Sequence, residues 1–226
     1  MKKVEFHIHT RRSHDSLLST FFIMIMCKLR KIDCVAICDH NQIEMAINKK
    51  NYLERHHINV IVGEEVFTTE GEIIGLFLNE KIPANLTPEE TVFQIKKQGG
   101  LVYIPHPYDE KRYKTVLNSD ALERIIDDVD FIECHNGRNI SPMFSKKQNA
   151  IAEKYKKVKV VGSDAHCFFE IGRNYIMLES IEKEALLTSV KRGEMVCNPC
   201  LKFAHFWTKV ARVYNKIFRG GIENEI

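Results

Sequence analysis

Six short apolar runs along this chain of 226 residues carry, at or just past their carboxyl ends, residue types that bind metals or move protons. Val4 to Ile8 carries His7 and leads into His9, Cys34 to Cys38 leads into Asp39-His40, and Val60 to Gly63 leads into Glu64-Glu65. Leu101 to Ile104 is followed by Pro105-His106-Pro107, Phe131 to Cys134 contains Glu133 and leads into His135, and Val158 to Val161 leads into Gly162-Ser163-Asp164-Ala165-His166. Continuous apolar runs of this length are strands covered on both faces. Strands alternating with helices build a parallel sheet, and folds of that class gather their sites at the carboxyl ends of the strands. Residues far apart in sequence therefore meet.

Strict alternation along the first strand puts Val4, Phe6 and Ile8 on one face and Glu5, His7 and His9 on the other. Two imidazoles at i and i+2 converge on one point and suit Zn, Mn or Fe better than Mg or Ca. Asp164 and His166 share the same spacing. Asp39 and His40 are adjacent, so only one can point inward; His40 is the expected ligand and Asp39 the acceptor that orients an imidazole. Ser19 or Thr20 is placed to cap a helix through Arg30, a second helix is expected over about residues 42–56, and Thr87-Pro88-Glu89-Glu90 reads as a capping box. Glu72 to Leu78 reads as a strand joined to its predecessor by a turn at Glu70-Gly71. No ligand-type residue marks its far end.

Taken together, these motifs resemble the PHP (polymerase and histidinol phosphatase) superfamily of metal-dependent phosphoesterases. The likeness runs over about residues 4–178: His-x-His-Thr with a following Ser-x-Asp, Asp-His, Gly-x-Glu at Gly63 to Glu65, Pro-His-Pro, Ile-Glu-x-x-Asn-Gly-Arg at Ile132 to Arg138, and Gly-Ser-Asp-Ala-His. The resemblance implies an α/β fold, a distorted (β/α)7 barrel, with a metal site at the C-terminal ends of the strands. It implies two or three divalent metal ions (Zn, Mn or Fe). His7, His9, Glu65 and Asp164 would hold the first, Glu65 would bridge to a second held by His106, and Asp15, His40 and His166 would hold a third. Some members add a histidine from a Gly-Phe-His motif, which Gly75-Leu76-Phe77 lacks; Glu133 or His135 could fill that place. Arg112 and Arg138 resemble phosphate-holding positions, where a guanidinium fork fits better than an ammonium. His40, His166 and Asp39 are the catalytic candidates, and the substrate class implied is a nucleotide or other small phosphate ester, with nucleic acid only as a substrate.

Two rivals follow from the same residues. An amidohydrolase-type enzyme also begins with His-x-His but usually presents a bridging lysine where Glu65 stands here. A metal-stabilised regulatory module without turnover would be expected to have lost ligands. The organisation expected is a PHP-type domain over residues 1–200 and a basic amphipathic helix with a tail over 201–226. In that helix Phe203, Phe206, Trp207, Val210, Val213, Tyr214, Ile217 and Phe218 form an apolar stripe, opposite Lys209, Arg212, Lys216 and Arg219. Packing on the barrel is the expectation for the stripe, with a peripheral membrane surface or self-association through 203–219 as alternatives. Seven cysteines, an odd number, point to reduced thiols and a cytoplasmic setting, and the pair Cys197 and Cys200 reads as two free thiols in a turn.

Overall fold

The computed structural model describes residues 1–109, 112 and 114–219; the tail 220–226 lies outside the described residues. Among them nine strands form one sheet: β1 (Lys2–Ile8), β2 (Cys34–His40), β3 (Asn59–Thr68), β4 (Gly71–Leu76), β5 (Leu101–Ile104), β6 (Phe131–Asn136), β7 (Val158–Gly162), β8 (Tyr175–Leu178) and β9 (Glu194–Val196). Their order is β7-β6-β5-β4-β3-β2-β1-β8-β9. β1 to β7 wrap into a nearly closed barrel, because Ile8 bridges Ala165 just beyond β7 and His9 N donates to Ala165 O at 2.9 Å. β8 and β9 extend the sheet from the other end of β1, where Lys2 to Val4 pair antiparallel with β8. β4 alone is reversed within the barrel, pairing antiparallel with both β3 and β5. Gly71 makes that turn at φ +123°, where a Cβ would collide with the backbone at Val116 and Leu117.

Seven helices, α1 (Thr20–Arg30), α2 (Glu44–Arg55), α3 (Pro88–Lys97), α4 (Ser119–Ile125), α5 (Pro142–Lys154), α6 (Lys183–Arg192) and α7 (Ala204–Phe218), are described with the sheet. Their starts follow from local chemistry. The Ser19 hydroxyl accepts from Phe22 N at the head of α1, and Thr87 and Glu90 form the reciprocal capping box of α3 with Pro88 in its first turn. Apolar side chains line both sides of the sheet. Val4, Phe6, Cys34, Ala36, Ile61 and Phe131 fill the barrel, while Val35, Ile37, Val62, Val102 and Ile132 meet Ile23, Leu53, Ile95 and Ile151 of the helices. Each large side chain buried in this way contributes about 1.5–3 kcal/mol. The strands read as unbroken apolar runs because neither face is wet.

Two irregularities correct the alternation expected from sequence. β1 shifts register between Glu5 and Ile8. Phe6 then stays inside the barrel and His7 joins it there, whereas Glu5 turns outward, accepting from Ser163 Oγ and Gly172 N. Ile8 packs in the helix layer rather than beside Val4 and Phe6. A bulge re-aims a side chain in this way at the cost of one ladder position. β6 shifts likewise between Glu133 and His135.

α7 departs from its expected packing. Its buried residues are Ala204, Thr208, Ala211 and Asn215. Phe206, Trp207, Val213, Tyr214, Ile217 and Phe218 are 42% to 70% exposed. The inward face makes polar contacts with the barrel mouth that require small or hydrogen-bonding side chains, so the aromatic stripe is left facing out. Among the described residues no helix is long and apolar enough to cross a membrane. All seven cysteines are free thiols.

Glu64, on β3, is a buried carboxyl that accepts from Ile82 N at 2.9 Å through Oε2 while Oε1 has no partner. Burial pushes its pKa up from 4.5 to about 8 against the lowering effects of that hydrogen bond and Lys81. A raised carboxyl pKa stabilises the fold fully below about 4.5, and the contribution is lost as pH climbs through about 8. Glu64→Gln should therefore melt close to the parent in acid and progressively above it towards pH 8. Parallel melting temperatures for both proteins across that window would show that the carboxyl ionises without cost.

Candidate metal centre

The carboxyl ends of the strands bring His7, His9, His40, His106 and His166 against Asp15, Glu65, Glu72 and Asp164. Glu65 lies at the middle. Its Oε1 is 3.6 Å from His7 Nε2 and 3.1 Å from His106 Nε2, and its Oε2 is 3.3 Å from His9 Nε2 and 3.1 Å from His40 Nδ1. Asp164 Oδ1 stands 3.3 Å from His9 Nε2 and 3.4 Å from His166 Nδ1. Asp15 Oδ1 is 3.1 Å from His166 Nε2 and 3.6 Å from His40 Nε2. His106 and Asp164 hold left-handed backbone, at φ 31° and 53°, a conformation that non-glycine residues adopt at a cost and that recurs at functional sites.

The hydrogen-bond network sets which nitrogen of each imidazole faces the centre. Asp39 accepts from Thr10 N and Thr10 Oγ1, both at 2.6 Å, and from Ser13 Oγ at 2.8 Å. With its proton given to Asp39, Ser13 Oγ can only accept from His9 Nδ1, 3.1 Å away. His9 Nε2 then carries a bare lone pair. His7 Nδ1 lies 3.3 Å from Glu133 Oε1, which also accepts from Tyr103 Oη, so its Nε2 is directed the same way. Gly162 makes room for that carboxylate, since a Cβ there would collide with Glu133 Oε1. The two Nε2 atoms sit 3.0 Å apart. Two lone pairs so close repel unless a cation or a proton lies between them.

Charge completes this test of fit. Burial alone would raise the Glu65 carboxyl, yet His7, His40 and His106 hold it well below its usual range. Burial opposes ionisation of Asp164 too, and Arg112 and His7 outweigh it. Burial disfavours a charge on His7 and on His40, but Glu65, with Asp164 beside His7 and Asp15 beside His40, lifts both well above the ordinary imidazole value. The carboxylates thus draw in positive charge wherever they find it. His9 goes the other way, depressed by burial and by His166 and His40. Asp15 Oδ1, His166 Nε2 and His106 Nδ1 are buried without a hydrogen bond. Sets such as His7, His9 and Glu65, or His9, His40 and His166, bring ligand atoms within 4.8 Å of one another. Such buried nitrogens and carboxylates fit divalent cations.

Not every expected residue arrives. Asp39 faces Thr10 and Ser13 behind the centre and does not line the cavity, which removes it from the catalytic candidates and makes it the anchor of His9. His135 is carried off by the irregularity in β6: Nδ1 is 2.9 Å from Ser145 Oγ on α5 and Nε2 is 3.1 Å from Asn198 O. Glu133 spends its oxygens on His7, Tyr103 Oη, His106 N and Asn136 Nδ2, so it supports the ligands from behind. Arg112 reaches the centre, its Nη2 on Asp164 Oδ2 and its Nε 3.2 Å from Asp109 Oδ2. Arg138 is buried beside it under α7, with Nη2 on Thr208 Oγ1 and Nε 3.6 Å from Glu170 Oε1.

Sequence reasoning missed Glu72, His14 and Arg212. Glu72 stands 3.4 Å from His40 Nδ1 and 3.5 Å from His106 Nε2, because reversed β4 presents its first residues at the end where its neighbours present their last. The turn at Glu70-Gly71 was the signal available. His14 groups with Asp15 and His40, and Arg212 Nη2 on α7 donates to Asp15 Oδ2 at 3.1 Å. Above the cluster lies a cavity of about 850 Å³ whose walls include Phe67, Arg112, Lys114, Arg138, His205 and Arg212.

The architecture is a mixed, nearly closed α/β barrel with a cluster of metal-type residues at its carboxyl end. Residues 144–195 match the PHP-associated family. The uncharacterised protein MJ0417 of Methanocaldococcus jannaschii is 36% identical over 184 residues, covering 80% of this chain and 73% of its own length. The chain belongs to the PHP-domain family. Its fold is shared with PsfC from Pseudomonas syringae PB-5123, at TM-score 0.66 and 16% identity over 95% of this chain and 98% of that one. It is shared too with a candidate metal-dependent phosphoesterase from Bifidobacterium adolescentis, at TM-score 0.62 and 15% identity over 84% and 96% of the two chains. An amidohydrolase from Chromobacterium violaceum aligns at TM-score 0.58 and 16% identity, over 92% and 96%.

Glu72→Ala should lower the zinc or manganese retained per chain after loading and desalting, while His135→Ala should leave it at the parental value. Equal metal loss in both variants, read by elemental analysis, would mean that the centre has been drawn in the wrong place.

Proposed function

We propose that this protein hydrolyses a phosphate ester, with a small phosphorylated molecule as substrate. The observation that carries the reading is the pairing of a metal-type floor with cationic walls: Arg112, Lys114, Arg138 and Arg212 surround the cavity above the cluster. Asp15, Glu72 and Asp109 share that lining, but cations held in the cluster would offset their charge and leave a cleft that draws anions, and a guanidinium fork matches two phosphate oxygens at once. A neutral amide or lactone would gain little from such walls, which favours the phosphoesterase reading over the amidohydrolase one.

His7, His9, Glu65 and Asp164, with His106 and Glu72 on one side and Asp15, His40 and His166 on the other, would hold the cations. Divalent ions there supply Lewis-acid charge for the phosphoryl oxygens and lower the pKa of a nearby water. The remaining work falls to the chain. Asp39 through Ser13, and Glu133 directly, fix the rings of His9 and His7, which keeps the ligand nitrogens from turning away. Arg112, anchored by Asp109 and Asp164, offers its outer guanidinium edge to the phosphate. His40 and His166 line the cavity wall together with His14 and His205, and whichever of the first two is not taken up by a cation is placed to give a proton to the departing alkoxide. Phe67 and Ile140 furnish an apolar wall for the rest of the ester.

A panel of phosphomonoesters and phosphodiesters assayed with manganese or zinc should reveal turnover that chelation abolishes. His9→Ala and Asp164→Ala should each cut it by at least about 10²-fold, because loss of a ligand removes charge stabilisation and orientation together. Turnover of amides or lactones by the metal-loaded protein, with every phosphate ester inert, would reverse the assignment. Arg112→Lys should raise KM for the active ester by about tenfold or more while bound metal changes little, since the charge survives and the fork does not.

A further inference from the structure

Helix α7 has three faces, and only one of them is occupied. The inner face is seated by directed polar contacts: Asn215 Nδ2 donates to His14 O at 2.9 Å and Ser16 O at 3.2 Å, Arg212 donates to Asp15, and Thr208 Oγ1 accepts from Arg138. Arg219 Nη1 donates to Arg11 O at 2.7 Å and anchors the far end. These contacts fix the helix in rotation, so its outer face is a defined surface. That surface is Phe206, Trp207, Val213, Tyr214, Ile217 and Phe218, each at least 42% exposed.

The exposed aromatic surface continues beyond the helix. Phe203, at 50% exposure, packs on Phe169 with ring centroids 4.9 Å apart, and Phe169 meets Phe168 at 5.4 Å. Phe168 stacks on Phe22 of α1 at 5.5 Å, with Phe21 next to it. Phe21, Phe22 and Phe168 are all exposed by 46% or more. Isolated exposed apolar residues are ordinary, but a connected aromatic tract of this kind marks a surface that meets something other than water. Along one edge of the helix run exposed Lys209 and Lys216, beside Arg212 and Arg219, whose guanidinium groups reach Asp15 and Arg11 O, with exposed Lys202 before its start; residues 201–219 contain no acidic side chain.

We propose that the outer face of α7 docks the protein on an anionic lipid surface, the helix lying in the plane of the interface. A helix of 15 residues is about 22 Å long, too short to span a bilayer and long enough to lie along one. Trp, Phe and Ile on one side with Lys and Arg beside them is the arrangement that sinks rings to headgroup depth while the ammonium groups meet lipid phosphates. Charge decides against a second copy of this chain as the occupant. A symmetric pair would bring two basic edges together with no acidic group on either helix to neutralise them. A polyanionic surface satisfies both the apolar face and the basic edge.

Trp207 is the only tryptophan of the chain and sits within the face, so its fluorescence reports on docking directly. The full chain is mixed with vesicles of equimolar phosphatidylglycerol and phosphatidylcholine, and separately with phosphatidylcholine alone. Sedimentation with the anionic vesicles is expected, weakened by salt, with Trp207 emission shifted to the blue and shielded from acrylamide. Phe206→Ser with Trp207→Ser should weaken sedimentation by at least about tenfold. Lys209→Glu with Lys216→Glu should weaken it by about thirtyfold or more, at about 1 kcal/mol for each lysine removed from the surface. Both pairs lie outside the metal cluster, and retained metal content shows that each variant is folded. A chain that stays in the supernatant as a monomer overturns the proposal. A dimer that dissociates in the aromatic variant, with no vesicle binding by the parent, assigns the face to self-association instead.

Discussion

Two imidazole nitrogens facing one another at 3.0 Å set the terms for everything around them. His7 and His9 cannot keep bare lone pairs that close in a buried space without positive charge between them, and the protein withholds the easy escape of turning a ring. Asp39 grips Ser13, Ser13 grips His9, and Glu133 with Tyr103 behind it grips His7. Those supports are themselves buried, so the barrel interior beneath the centre is organised as much by orientation of histidines as by apolar packing. The remaining carboxylates raise the demand for cations further. Such a concentration of buried charge costs stability when nothing fills it, and a bound cation would recover that cost.

The cationic walls belong to a different layer of the design. Arg112 comes from the segment after β5, Arg138 from the turn after β6 and Arg212 from α7, so three separate elements converge on the same opening. Arg212 meets Asp15 from outside the barrel, joining a segment with no part in the sheet to the ligand cluster. The arginines and the histidine cluster share carboxylates: Asp164 serves both Arg112 and the histidines, and Asp15 serves both Arg212 and His166, so in the proposed function substrate recognition and metal retention would be linked.

Much of this was readable from sequence, for a physical reason. Parallel strands force their ends to one side, so His40, Glu65, His106, Asp164 and His166 could be assembled from position alone, and the capping box at Thr87 is a purely local rule. The misreadings along the strands share one cause. Periodicity reports side-chain direction only while the ladder is regular, and β1 and β6 each shift register at the functional end, which misplaced Glu5 and Ile8 and sent His135 outward. Glu72 was hidden by strand direction, because a residue at the start of a strand counts as a strand end only when that strand runs backwards. For α7 the amphipathic pattern was correct but could not say which face the protein would take, since polar partners at His14, Ser16 and Asp15 outbid apolar contact.

The register shift in β1 divides labour among neighbouring positions. Phe6 belongs to the barrel floor, His7 and His9 to the ligand cluster, and Ile8 between them to the helix layer. A change of side chain at Ile8 would therefore act on the packing of the helix layer and not on the cluster. Loss of the irregularity is another matter. Strict alternation kept in phase with Val4 and Phe6 would put Ile8 in the barrel and turn His7 and His9 to the side of Glu5, emptying the centre of both imidazoles. The spacing of the His-x-His pair from the start of its strand is thus held by backbone geometry as firmly as the histidines are held by their chemistry.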